Sequence, residues 1–156
     1  MSTRLFLDAN TIISGLLFEG NESELLDLGL LGAVELVTAA YVWAEVQEVL
    51  QRPQFRLTPE GVEDLLSFGQ GALLLLPDAD EDAIKSREGN LKDKEDAAVW
   101  AGFDASGARF LVTGDKELLQ KVPGARRTKT VLDDLRAGRL QSGEEDPPPL
   151  GPRRSR

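Results

Sequence analysis

Asp8, Glu45, Asp96 and Asp115 are carboxylates that strands and helices could deliver to one point. Asp8 ends the apolar run Leu5-Phe6-Leu7, and Asp115 follows Phe110-Leu111-Val112-Thr113-Gly114. Ligands of an open parallel sheet bind outside the carboxyl ends of its strands. Two strands that each end in Asp therefore set two carboxylates at one mouth. Crowded carboxylates repel unless a proton or a cation intervenes, and hard cations such as Mg²⁺ and Mn²⁺ take oxygen ligands. The pattern points to metal-assisted chemistry. Each acid also has a bland explanation. Asp8 and Asp115 could simply cap helices. Glu45 borders the stripe Val42, Val46 and Val49, as a solvated flank does. Asp93, Glu95 and Asp96 all suit the first turn of a helix, where acids favour the macrodipole.

Composition narrows the chemistry further. The 156 residues suit one domain with a real hydrophobic core. There is no cysteine, which removes disulfides, thiolate metal sites and cysteine nucleophiles. There is no histidine, which removes Ser-His-Asp triads, imidazole bases and His-ligated zinc. Any catalysis falls to acids, a lysine, a hydroxyl or a metal. The net charge of −9 opposes nucleic-acid binding at first sight. A bound divalent ion would cancel part of that charge locally, and a local basic patch would still be needed for phosphate. No signal peptide is visible in Met1-Ser2-Thr3-Arg4, and the apolar stretch Ala72 to Leu76 is too short to span a bilayer. A cytoplasmic protein with no membrane contact is expected.

The elements that must position the acids follow from pattern and punctuation. Arg4 to Asp8 reads as a buried strand, followed by a helix capped by Asn10 with Ile12, Ile13, Leu16 and Leu17 inward. Glu22 to Leu31 is a helix, Val34 to Thr38 a strand, and Ala40 to Gln51 a helix stopped by Pro53. Thr58-Pro59-Glu60 is a strong helix start, and that helix carries Val62, Leu65, Leu66 and Phe68. Ala72 to Leu76 is a third strand. A turn and short helix occupy Asp78 to Asn90, and a helix spans Asp93 to Ala105. Arg109 to Thr113 is the fourth strand, Asp115 to Gln120 a short helix, Thr128 to Lys129 a fifth, edge strand, and Thr130 to Arg139 a closing helix. Strands alternating with helices predict a three-layer α/β/α fold with a central, mostly parallel sheet. Residues 1–140 form one domain. Residues 141–156, with four prolines and little to bury, are expected to be a disordered tail.

Four segments, taken in order, resemble a PIN domain and are similar to the VapC-type toxins of bacterial toxin–antitoxin pairs. They are Leu5-Phe6-Leu7-Asp8-Ala9-Asn10-Thr11-Ile12-Ile13-Ser14-Gly15-Leu16-Leu17, Glu45-Val46-Gln47-Glu48-Val49-Leu50-Gln51-Arg52-Pro53-Gln54-Phe55, Asp93-Lys94-Glu95-Asp96-Ala97-Ala98 and Leu111-Val112-Thr113-Gly114-Asp115-Lys116-Glu117-Leu118-Leu119. The resemblance covers roughly residues 4 to 138. It implies a metal-dependent ribonuclease whose acids fall on Asp8, Glu45, Asp96 and Asp115. These carboxylates would hold Mg²⁺ or Mn²⁺, activating water for attack on a phosphodiester. Asn10 and Thr113 match small polar residues that support the site from behind, and Asp93 could assist Asp96. Relatives often carry Thr where this chain has Ala9, which removes a hydroxyl but no ligand. Lys116, Arg52 and Arg56 are the candidate phosphate contacts, with Lys92 and Lys94 weaker. Unstacked RNA is the expected substrate. A cognate antitoxin protein and a homodimer are the expected partners, the dimer using apolar helices between Glu22 and Phe68 if the core does not consume them.

Two other functions fit the same residues. In one, Asp8 is the nucleophile of a phosphotransfer enzyme, although such enzymes normally carry a second Asp where this chain has Asn10. In the other, the domain binds RNA or protein without turnover.

Overall fold

The computed structural model describes residues 2–141. Its centre is a five-stranded sheet, all parallel, in the order β3-β2-β1-β4-β5. The strands are β1 (Arg4–Leu7), β2 (Glu35–Ala39), β3 (Leu73–Leu76), β4 (Phe110–Val112) and β5 (Ala125–Arg126). The helices are α1 (Ala9–Leu17), α2 (Asn21–Leu30), α3 (Ala40–Leu50), α4 (Pro59–Ala72), α5 (Glu81–Glu88), α6 (Lys94–Ser106), α7 (Lys116–Lys121) and α8 (Thr128–Arg136), with a 3₁₀ turn at Pro53–Phe55. The strand order reverses at β1, which has β2 on one side and β4 on the other. That reversal is the switch point at which open α/β sheets bind ligands.

Burial explains the arrangement. Leu5, Phe6 and Leu7 are fully buried, as expected of a central strand covered on both faces. α1 packs on α2, α3 and α4, and α2 also meets α8. α5 packs on α6, which lies against β2. Close contact between α1 and α2 requires Gly15, because a Cβ there would lie 2.6 Å from Leu26 and 2.9 Å from the Glu22 carbonyl oxygen. The apolar residues between Glu22 and Phe68 are used mainly in the core: Leu25, Leu26, Leu28, Val42, Val46, Val49 and Val62 are all buried. Leu30 and Leu31 at the end of α2, and Leu74 and Leu75 on the edge strand β3, remain exposed.

Several boundaries differ from expectation. The fifth strand is Ala125–Arg126, not Thr128–Lys129. Gly124, at φ 92°, turns the chain so that Arg126 pairs with Val112. Thr128 instead opens α8, where Thr128, Val131, Leu132 and Leu135 are buried at helical spacing. α1 is capped by Asp8 rather than Asn10: the Asp8 side chain accepts from the Thr11 N–H, and Asn10 lies exposed in the first turn. Thr58 caps α4 as expected, accepting from the Gly61 N–H at 2.9 Å. The expected tail lies outside the described residues except for Gln141, whose carbonyl accepts from the Thr3 N–H and hydroxyl.

Candidate active site

The site is built by strand ends. Leu7 pairs with Val112, so Asp8 emerges beside Thr113. The Asp8 N–H donates to the Val112 carbonyl, and the Thr113 hydroxyl donates to Asp8 Oδ2 at 2.5 Å. Asp8 Oδ1 accepts from the Thr11 N–H at 3.0 Å. Asp8 is thus helix cap and cleft wall at once. Asp115 behaves alike. Its Oδ1 caps α7 through the Leu118 N–H, and its own N–H donates to the Thr113 hydroxyl oxygen. Thr113, buried, links the two acids.

Glu45 comes from the second turn of α3 and Asp96 from the first turn of α6. All four acids line one cleft of about 590 Å³ at the carboxyl edge of the sheet, together with Asn10, Tyr41, Glu48, Arg52, Asp93 and Glu95. Asp93 caps α6 by accepting from the Glu95 N–H. A shallow recess bounded by Gln47, Gln51 and Pro53 shares Glu48 and Arg52 with the cleft.

Electrostatics in the cleft are those of too many like charges. Burial raises the pKa of Asp8, and the Asp115 charge adds to that rise against the lowering by Thr113 and Thr11. Asp96 is pushed up to about 7, first by desolvation and then by Asp115, Asp93, Glu117 and Asp8. Glu45 is raised by desolvation and by Glu95 and Asp8, with Arg52 opposing. Two nearby cations are already engaged: Arg52 donates to Glu48, and Lys121 to Glu117.

The donor set fits a hard divalent cation. It consists of carboxylate oxygens whose mutual repulsion a positive ion would relieve. Among the described residues no three acids stand close enough to cage an ion by themselves. Mg²⁺, however, commonly keeps several waters and takes only one or two carboxylates directly. An open ring of acids suits such a hydrated ion.

The candidate phosphate contacts are less united. Arg52 stands on the cleft wall. Lys116 is exposed at the start of α7, while Arg56, at φ 55° beyond the 3₁₀ turn, is exposed outside the residues that line the cleft. Lys92 and Lys94 are exposed before and at the start of α6. Two residues at this edge, Tyr41 and Arg127, have no role in the sequence analysis, and a third, Glu95, figures there only as a first-turn acid. Glu95 and Tyr41 line the cleft, and Arg127 is exposed immediately after Arg126, whose carbonyl accepts from the Thr113 N–H. The usable signal for Tyr41 was its position four residues before Glu45, on the same helical face.

A parallel α/β/α domain whose switch point is rimmed by carboxylates defines a class of acid-lined α/β proteins. The chain belongs to the PIN domain family, whose model matches residues 4–117 and whose members are in general nucleases. No curated protein matches the chain. Its fold is similar to that of PAE2754 from Pyrobaculum aerophilum, with a TM-score of 0.64 at 21% identity over 88% of this chain and 98% of that one. It is also similar to VapBC2 from Rickettsia felis, solved with a DNA fragment from its promoter, with a TM-score of 0.61 at 14% identity over 80% of this chain and 98% of that one.

Proposed function

We propose that this protein is a divalent-metal-dependent ribonuclease and the toxin of a toxin–antitoxin pair. The observation that carries this is the convergence of Asp8, Glu45, Asp96 and Asp115 on one cleft at the switch point. Mg²⁺ or Mn²⁺ held there would supply Lewis acidity and an activated water for phosphodiester hydrolysis. The residues of the chain do the rest. Thr113 and the Thr11 N–H fix both oxygens of Asp8, and the Leu118 N–H fixes one oxygen of Asp115. Asp96, with a pKa raised to about 7, is an acid whose charge depends on a neighbouring cation. Asn10 and Asp93 line the cleft beside these acids and support them.

The phosphate backbone would enter past Arg52 along the recess beside Pro53, with Lys116 and Arg127 on the opposite strand ends and Arg56 as an outlying contact. RNA is favoured as substrate because its unstacked single strands fit an open cleft. The VapBC2 likeness supports an antitoxin partner, and the exposed Leu30, Leu31, Leu74 and Leu75 offer an apolar face for the proposed homodimer. Among the described residues no helix is long and apolar enough to cross a membrane, which supports the proposed cytoplasmic location. The alternative of Asp8 as phospho-acceptor is disfavoured by its two engaged oxygens.

The test is cleavage of labelled single-stranded RNA by the full chain, with and without chelator, against an Asp8→Asn, Asp115→Asn double variant. Chelator-reversible cleavage confined to the unaltered chain is expected. Cleavage that persists in chelator or in the folded double variant overturns the proposal, and a trapped aspartyl-phosphate without cleavage would establish the phosphotransfer alternative.

A further inference from the structure

Tyr41 is the single tyrosine of the chain and sits in the first turn of α3. Its backbone N–H donates to Asp78 Oδ1 at 2.9 Å, which replaces the side-chain cap that Ala39 cannot give. Its phenol is placed differently. The hydroxyl oxygen is sealed from solvent and has no hydrogen-bond partner. The charges that act on it are those of Glu45, Asp78, Asp96 and Asp8, in decreasing order. A buried O–H donor without an acceptor is rare in folded proteins and calls for an explanation. Here it is surrounded by acceptors that it does not reach.

Two of those four acceptors are committed, and the Asp96 and Glu45 carboxylates are not. Asp8 uses both oxygens, and Asp78 already accepts from the Tyr41 N–H. The Glu45 side chain makes no hydrogen bond among the described residues, and it lines the same cleft as Tyr41. Residues four apart lie on one face of a helix, and Cα–Cβ bonds tilt toward its N-terminus. Glu45 therefore leans back over the turn that carries Tyr41.

We propose that Tyr41 is a positioning residue, resting on the metal-dependent function above: when a divalent ion fills the cleft, the phenol O–H donates to the Glu45 carboxylate and holds it toward the ion. That bond would satisfy a phenol that has no partner elsewhere among the described residues. Groups that orient metal ligands in this way commonly contribute ten- to hundredfold in affinity.

The test uses the full chain and Mn²⁺ alone, without RNA. Free Mn²⁺ is counted by electron paramagnetic resonance during titration of the unaltered protein and of Tyr41→Phe, and both are unfolded by heat in chelator. Ultraviolet resonance Raman of the one tyrosine reports whether its phenol donates. Tyr41→Phe should weaken Mn²⁺ binding by roughly tenfold while the metal-free melting temperature stays level or rises. In the unaltered chain, Mn²⁺ should convert the phenol signature to that of a donor. Equal Mn²⁺ affinity in the two proteins, or a phenol signature that Mn²⁺ leaves unchanged, overturns the role of Tyr41 and leaves the proposed function standing. Failure of the unaltered chain to bind Mn²⁺ overturns both.

Discussion

The two edges of the sheet are built on opposite terms. At the amino edge charges and polar groups are matched. Arg4 bridges β1 and β2 to Glu35 at 2.8 Å and also donates to the Ser106 carbonyl, while Thr3 donates through both N–H and hydroxyl to Gln141. At the carboxyl edge, Asp8, Glu45, Asp96 and Asp115 face one cleft, while Arg52 and Lys121 are paired with Glu48 and Glu117 instead. The same strands thus end in stabilising pairs on one side and in repelling carboxylates on the other. Repulsion that a protein retains at a switch point marks a place where a ligand supplies the missing charge.

The contrast breaks most sharply at Asp8. Asp8→Asn should abolish metal-dependent cleavage, yet circular dichroism should show an intact fold, because Asn also caps helices well. Next comes the hydroxyl that ties β4 to β1. Thr113→Val should reduce Mn²⁺ affinity or cleavage roughly ten- to hundredfold, measured by titration and by RNA turnover. The third expectation concerns pH. Asp96 titrates near 7 in the folded chain against 3.8 unfolded, so between these values the folded state holds a proton that the unfolded chain has released. Stability of the metal-free protein should fall as pH rises through that window and level off above about 7. Denaturant melts in chelator should show the slope, and Asp96→Asn should flatten it. The smallest effect belongs to the matched edge. Arg4→Met should cost about 1 kcal/mol or less, as partly exposed pairs do, and leave Mn²⁺ affinity unchanged.

Much of this contrast was legible in the sequence, for identifiable reasons. Asp8 and Asp115 could be placed because each follows an apolar run too short for a helix and long enough for a buried strand. Asp96 could be placed because its spacing to Asp115 fits one helix plus a return to the next strand. Glu45 was harder. Its border position on the helical stripe is shared by many solvated acids, and only the fold brings it over the strand ends. Thr128 is β-branched and reads as strand with Lys129, whereas the helical spacing of Val131, Leu132 and Leu135 draws it into α8. Asn10 was taken as a cap because it precedes the apolar residues, but Asp8 lies at the true junction of strand and helix. Arg127 was invisible because its significance depends on which strands lie side by side, which no local pattern encodes; Tyr41 carried a local signal, four residues before Glu45, that gains meaning only once Glu45 lies at the cleft.

Thermal unfolding with Mn²⁺ or with chelator, above the titration of Asp96, tests the central claim most directly. At free Mn²⁺ a hundredfold above Kd, the unaltered chain should gain ~2.7 kcal/mol, and Asp8→Asn and Asp96→Asn should gain far less. A chain that melts identically in Mn²⁺ and chelator, or variants that gain as much as the unaltered protein, would contradict the claim that these carboxylates hold a divalent ion.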